Sequence, residues 1–308
     1  MSKIAFVFPG QGSQTVGMGK DLYEKFPEAK AVFDAADDAL GEKLSRLIFE
    51  GPEDALKLTA NTQPAILTVS LAVHAVLQKA GKRADFVAGH SLGEYSALVA
   101  AGAISLADAV RSVRARGLFM QDAVPAGVGA MSAVLRLDPA RVREACEEAA
   151  QGQICSPANY NSPDQIVIAG NAEAVKRADE ILKAKGARKV IPLPVSAPFH
   201  CSLMAPVQPR LREVLQRLTI SPLAMPLVTN VEATANQDPQ RVVELLVQQV
   251  TAPVRWIECV EAMKAAGVTR MIEVGPGKVL AGLVKSIDKS IETLTTENVA
   301  SLEKVLAS

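Results

Sequence analysis

The chain opens on Ile4-Ala5-Phe6-Val7-Phe8, an apolar run without alternation, which predicts a parallel strand buried on both faces. It stops at Pro9-Gly10-Gln11-Gly12-Ser13-Gln14, a loop of glycine and amide side chains. Apolar residues then recur at helical spacing around residues 22–26, 29–40 and 62–80. A second short apolar run, Asp85-Phe86-Val87-Ala88, predicts a strand, and residues 94–101 predict a helix closed by Gly102. A further helix is predicted over 105–123, where Ser105 followed by Asp108 resembles a capping box. Strands alternating with long helical stretches imply an α/β fold with a mainly parallel sheet.

From residue 127 to 193 the rhythm changes. Strand patterns at 131–137, 154–159, 165–169 and 188–192 enclose helical patterns at 139–150 and 172–185. That order, β-α-β-β-α-β, predicts a ferredoxin-like unit. The expected organisation is a large α/β-hydrolase-like domain of residues 1–126 and 194–308 carrying an inserted small domain of residues 127–193. Beyond the insertion, 204–218, 239–250 and 254–266 read as helices, with Asp238 as N-cap and Pro239 at the first helical position. Residues 226–229 and 271–274 read as strands, the latter ending at Gly275-Pro276-Gly277.

Composition adds limits rather than identity. Hydrophobic residues make up 49% and charged residues 21%, with a formal net charge of zero, so nothing global favours nucleic acid or an anionic membrane. No apolar run is read as approaching the length of a membrane span. Cys146, Cys155, Cys201 and Cys259 lack C-x-x-C spacing, and no secretory apolar segment follows Met1. A cytoplasmic monomer with reduced thiols is the expectation, and no metal-ligand spacing is present.

The chemistry starts at Gly89-His90-Ser91-Leu92-Gly93. A G-x-S-x-G pentapeptide between a strand and a helix reads as a nucleophile elbow, with the Ser91 hydroxyl presented at a helix N-terminus where free N–H groups favour developing negative charge. Serine needs a base. Of the three histidines, His74 lies among apolar neighbours in a helix and reads as structural. His90 adjoins Ser91 in sequence, so its ring should point away and orient substrate. His200, in the irregular stretch Ser196-Ala197-Pro198-Phe199-His200, is the expected base. A hydrolase would also place an Asp or Glu between serine and histidine in chain order. None there falls at a strand end of the main sheet, which leaves a neutral acceptor as an open alternative. On the 105–123 helix, Arg116 falls at the edge of the stripe Leu106, Ala109, Val113, Gly117, Met120. It either reaches solvent or a structural carboxylate, or forms a fork for a substrate carboxylate.

Gly10-Gln11-Gly12-Ser13-Gln14, Gly89-His90-Ser91-Leu92-Gly93-Glu94, Arg116-Gly117, Asn159-Tyr160-Asn161-Ser162, Phe199-His200 and Glu273-Val274-Gly275-Pro276-Gly277 occur in this order. The set resembles the malonyl-CoA:acyl carrier protein transacylases of bacterial type II fatty acid synthesis over essentially the whole chain. The resemblance implies Ser91 as nucleophile, His200 as base, and Gln249 holding the histidine through its main-chain carbonyl. It implies the Leu92 and Gln11 amides as an oxyanion hole, and Arg116 as the partner of the malonyl carboxylate. It places His90, Asn159 and Asn161 near the pocket, and implies that Phe199 disfavours an α-methyl group. Malonyl-CoA and acyl carrier protein are the implied partners; no cofactor is implied, since phosphopantetheine arrives on the carrier. A serine thioesterase or esterase on the same elbow, a polyketide carrier as acceptor, and an inactive binding module are the competing expectations.

Overall fold

The computed structural model describes residues 2–125, 127–195 and 197–308; Ala126, where the expected boundary of the large domain falls, and Ser196 lie outside the described residues. Among the described residues ten strands form two sheets: β1 (Lys3–Phe8), β2 (Phe86–Gly89), β3 (Gly129–Leu135), β4 (Cys155–Ser162), β5 (Gln165–Asn171), β6 (Lys189–Pro192), β7 (Leu227–Val228), β8 (Ala235–Asn236), β9 (Val268–Glu273) and β10 (Glu292–Thr295). The larger sheet has the order β10-β9-β1-β2-β7-β8. All its neighbours are parallel except β7 and β8, which are antiparallel at one edge.

The unbroken apolar run of β1 follows from its central position. Phe6 and Phe8 pack into the core on one face, under the helices Pro27–Leu40, Thr59–Lys79 and Leu106–Asp122. Ala5 and Val7 pack on the other, against Trp256–Ala265 and Val279–Ile287. With helices on both faces, neither set of alternate side chains meets water, so no polar residue interrupts the run.

The second sheet, order β4-β5-β3-β6, is antiparallel throughout and matches the predicted β-α-β-β-α-β unit. Its helices Pro139–Ala150 and Ala172–Ala184 cover one face over Val134, Ile166 and Ile168. The other face, with Met131, Ala133, Val167 and Ala169, joins the main core. The edge strand β4 reaches the larger unit directly: Tyr160 N donates to Val254 O at 2.9 Å and Val254 N to Ala158 O at 2.9 Å.

Several expectations change. The helix Thr59–Lys79 is long and apolar enough to cross a membrane, contrary to the sequence reading, but 83% of its most apolar stretch is buried inside the protein. It supplies the central layer between sheet and outer helices, which demands apolar residues all round. The predicted 204–218 helix divides into a 3-10 turn, Ser202–Met204, and a helix, Val207–Leu215. Asp238 caps as expected, accepting from Gln240 N, but Pro239–Arg241 is 3-10 before the α-helix Val242–Gln249 begins. The strand at 226–229 shrinks to two residues, and the edge strands β8 and β10 carry too little pattern to be seen in sequence. Ser105 Oγ accepts from Asp108 N and donates back to the Asp108 carboxylate, one half of a capping box.

One close approach sets the geometry used below. A Cβ on Gly117 would lie 2.7 Å from both Ala60 Cα and Thr59 O, so the Leu106–Asp122 helix touches the start of the Thr59–Lys79 helix backbone to backbone. Replacing Gly117 by alanine gains about 1 kcal/mol of helix propensity. Forcing two backbones apart costs about 1 to 3 kcal/mol, so the clash wins. Gly117→Ala is expected to lower the thermal midpoint by a few degrees in scanning calorimetry, and an equal or higher midpoint would show that the helices part freely.

Candidate active site

β1 and β2 end together, with Phe8 opposite Gly89, so the Pro9–Gln14 loop and the Ser91 turn emerge at the same carboxyl end of the parallel sheet. The turn is tight. A Cβ on Gly89 would fall 1.9 Å from Gly93 C, and one on Gly93 would fall 2.2 Å from Phe8 O, so only glycine fits on either side of the serine. Ser91 itself holds φ 52°, the left-handed conformation uncommon for residues with a side chain. His200 does the same at φ 58°.

These two strained residues meet. Ser91 Oγ lies 2.8 Å from His200 Nε2, and His200 Nδ1 lies 2.9 Å from Gln249 O and 3.2 Å from Ala252 O. Two carbonyl oxygens accept only, so Nδ1 carries the proton and Nε2 is the free lone pair facing the Ser91 hydroxyl. The ring thus meets the neutral acceptor that the sequence left open, and among the described residues no carboxylate bonds to it. Burial, and then the nearby Arg116 charge, lower the His200 pKa to about 3, against the opposing pull of the Gln249 carbonyl.

Arg116, at the edge of its apolar stripe by spacing, is buried at 1% exposure, so it does not reach solvent. Nη1 donates to Gln63 Oε1 at 2.7 Å; Nη2 donates to Gln249 Oε1 at 2.9 Å and to Ser91 Oγ at 3.1 Å. Its Nε has no partner among the described residues. The guanidinium also lies 5.8 Å from the centre of the Tyr95 ring, within cation–π range. None of its hydrogen-bond partners carries a charge. Burial lowers its pKa from the ordinary value, yet a guanidinium remains protonated in proteins.

The other expected residues divide. His90 Nε2 lies 2.8 Å from Asn161 Oδ1, and its ring packs against Trp256, so it points away from the hydroxyl. Burial lowers its pKa. Asn161 Nδ2 in turn donates to Gln165 Oε1 at 3.0 Å. Asn159 is buried and bridges to Val254, just past Gln249; among the described residues its side chain bonds to none of Ser91, His200 or Arg116. Phe199 is packed into the main core immediately before His200. The Gln11 side chain exchanges hydrogen bonds with Thr59 Oγ1, which steadies its loop beside the elbow. Leu92 is buried at the N-terminus of the Gly93–Ala100 helix. Among the described residues no group of three His, Cys, Asp or Glu side chains is placed to hold a metal, and all four cysteines are free and buried.

Two participants were missed. Asn230, fully buried just beyond β7, accepts from Ser91 N at 2.7 Å and donates through Nδ2 to Gly89 O at 2.7 Å, clamping both sides of the turn. Glu94, buried in the first turn after the elbow, accepts at Oε2 from Asn230 N (3.0 Å) and Gln249 Nε2 (2.9 Å). Burial pushes its carboxyl up to about 7, opposed by those hydrogen bonds and by Arg116. A polar residue just past a short strand next to the elbow strand was the available signal for Asn230. Glu94 was visible as the last letter of a motif and as an acidic residue between Ser91 and His200, set aside because it falls in a helix.

Residues 5–304 match the acyl transferase domain family. The chain is 49% identical to the malonyl CoA-acyl carrier protein transacylase of Bacillus subtilis over 304 residues, covering 98% of this chain and 96% of that protein. It superposes on a crystal structure of an acyl carrier protein S-malonyltransferase from Vibrio cholerae with a TM-score of 0.96 and 48% identity, covering 99% and 100% of the two chains. A malonyl-transacylase solved in complex with a type II PKS acyl-carrier protein aligns at a TM-score of 0.97 with 46% identity, covering 99% of each chain. This chain belongs to the acyl transferase domain family, among the malonyl CoA-acyl carrier protein transacylases.

Proposed function

We propose that this protein moves a malonyl group from malonyl-CoA to the phosphopantetheine thiol of acyl carrier protein, holding it between the two thiols as an ester on Ser91. The observation that carries the reading is the buried Arg116 guanidinium, which donates to the nucleophile hydroxyl and has only uncharged partners. A site that buries a cation without bonding it to a carboxylate is built to receive an anion next to the serine.

Ser91 Oγ attacks the thioester carbonyl as its proton passes to His200 Nε2, while the Gln249 carbonyl keeps the ring in the useful tautomer. The Leu92 and Gln11 amides stabilise the tetrahedral oxyanion; neither has an acceptor of its own among the described residues. The carbon–sulfur bond breaks, and the departing CoA thiolate takes the proton from His200. Arg116 then holds the malonyl carboxylate through a bidentate pair. In the second half the carrier thiol gives its proton to His200 and attacks the ester, and Ser91 recovers its hydrogen. Each step uses groups of this chain and of the two thiol partners, and we assign it no metal or redox cofactor. His90 and Asn161 line the approach, and Phe199 crowds the α-carbon. We place the reaction in the cytoplasm, in a monomer, with no nucleic acid or membrane involved.

A second reading has its own support: the structural relative solved with a type II PKS acyl-carrier protein makes a polyketide carrier an alternative acceptor. The chemistry at Ser91 is the same for both. Hydrolysis is disfavoured because His200 faces carbonyls where a hydrolase would supply a carboxylate.

Ser91→Ala is expected to show no malonyl adduct by intact mass after malonyl-CoA, and a persisting adduct would place the nucleophile elsewhere. Arg116→Ala should slow malonyl loading by roughly 30-fold or more while improving relative use of acetyl-CoA. Unchanged malonyl/acetyl discrimination would remove Arg116 from the acyl pocket. The His200 imidazole should stay neutral, with no titration of its ring resonances in NMR between about pH 8 and about pH 5. A midpoint near that of a free histidine would contradict the buried, Arg116-facing ring.

A further inference from the structure

The mechanism above gives no part to Glu94. Glu94 is 1% exposed and lies three residues past Ser91, and among the described residues its carboxyl bonds to neither Ser91 nor His200. What it does touch are two residues that reach the reacting groups.

Gln249 is the first. Its Nε2 faces two oxygens, Glu94 Oε2 at 2.9 Å and Ser91 O at 3.1 Å, and both can only accept. The amide therefore cannot turn over, and its Oε1 must face Arg116 Nη2, where it accepts at 2.9 Å. A flipped amide would set an NH2 group against a guanidinium and leave two acceptors unmet, at a cost on the order of 1 to 3 kcal/mol for each buried group left unsatisfied. Asn230 is the second. Its main-chain N–H ends on the same Glu94 oxygen, and its side chain clamps Ser91 N and Gly89 O.

We infer that Glu94 is a positioning residue that fixes the direction of the Arg116 guanidinium by locking the orientation of the Gln249 amide. The effect is on acyl selection, because the Arg116 fork matters only to a substrate that carries a carboxylate; this rests on the Arg116 role proposed above. What the lock requires is an acceptor at Oε2, not a charge. With the Glu94 carboxyl pushed up to about 7, part of it is protonated near neutrality, but both donors face Oε2. The proton goes to Oε1, and both hydrogen bonds survive.

Two conservative variants separate reach from charge, read by single-turnover loading of Ser91 from malonyl-CoA and from acetyl-CoA. Glu94→Gln keeps an acceptor at the same reach, and the donor-only Asn230 N–H forces its oxygen into place. Glu94→Asp keeps the charge but withdraws the carboxylate by one methylene. The expected result is that Glu94→Asp lowers the malonyl/acetyl ratio about tenfold and Glu94→Gln restores it to within about threefold of the parent. Equal loss for both acyl groups would mean a purely structural role. A ratio lost in Glu94→Gln and kept in Glu94→Asp would mean that charge acts instead, and a ratio kept in both would mean that Gln249 needs no lock; each overturns the inference. Arg116→Ala measured alongside distinguishes the underlying reading: if that variant leaves the ratio unchanged, Arg116 does not select the acyl group at all.

Discussion

Keeping one guanidinium out of water governs the layout of this molecule. Burying a cation costs several kcal/mol even after the protein relaxes, and a bonded carboxylate would ordinarily offset it. Here its hydrogen-bond partners are uncharged and come from separate parts of the chain: Gln63 from the long central helix, Gln249 from the end of the Val242–Gln249 helix and the Ser91 hydroxyl, with the face of Tyr95 alongside and the Glu94 carboxyl acting from beyond Gln249 without a direct bond. None of these is close to Arg116 in sequence except through the fold. The backbone contact at Gly117 brings the first within reach, and the β4 edge against Val254 borders the segment that carries the second. The arrangement is only as stable as the packing that delivers these amides, so the core and the pocket are one structure.

The same amide, Gln249, links the two halves of the chemistry. Its main-chain carbonyl sets the His200 tautomer and its side chain bonds Arg116, so the proposed base and the proposed anion site share one residue and one rigid reference. A carboxylate in place of that carbonyl would make His200 a stronger base. It would also place a second anion beside the group that receives the acyl carboxylate, and repulsion would work against binding. A neutral acceptor is the compatible choice for a site that must hold a charged acyl group.

How much of this could be read from the chain depends on the range of the signal. β1, the elbow and the ferredoxin-like unit were legible because their cues are local: an unbroken apolar run, glycines two residues either side of a serine, and a change of period. Ser91 and His200 followed from residue type and context. Arg116 was located by periodicity but its depth stayed open, because a stripe edge cannot say whether a second helix covers it. The strand before Asn230 was legible, but not that β7 lies beside β2, the pairing that brings Asn230 to the elbow and to Glu94. The central helix was misread in the opposite sense. Its composition suits a membrane, and only the surrounding layers show why it is apolar all round.

Ser91 and His200, the hydrogen-bonded pair proposed to exchange the proton, both hold left-handed backbone, which costs an L-residue roughly 1 to 2 kcal/mol each. Glycine would relieve that strain at either position, and would end the chemistry. Part of the folding free energy of this chain is thus kept as tension at these two positions, held at Ser91 by the Asn230 clamp and the tight glycine turn. The most stable sequence for this fold is therefore not the working one, and a search that ranks variants by stability alone would lead away from the enzyme.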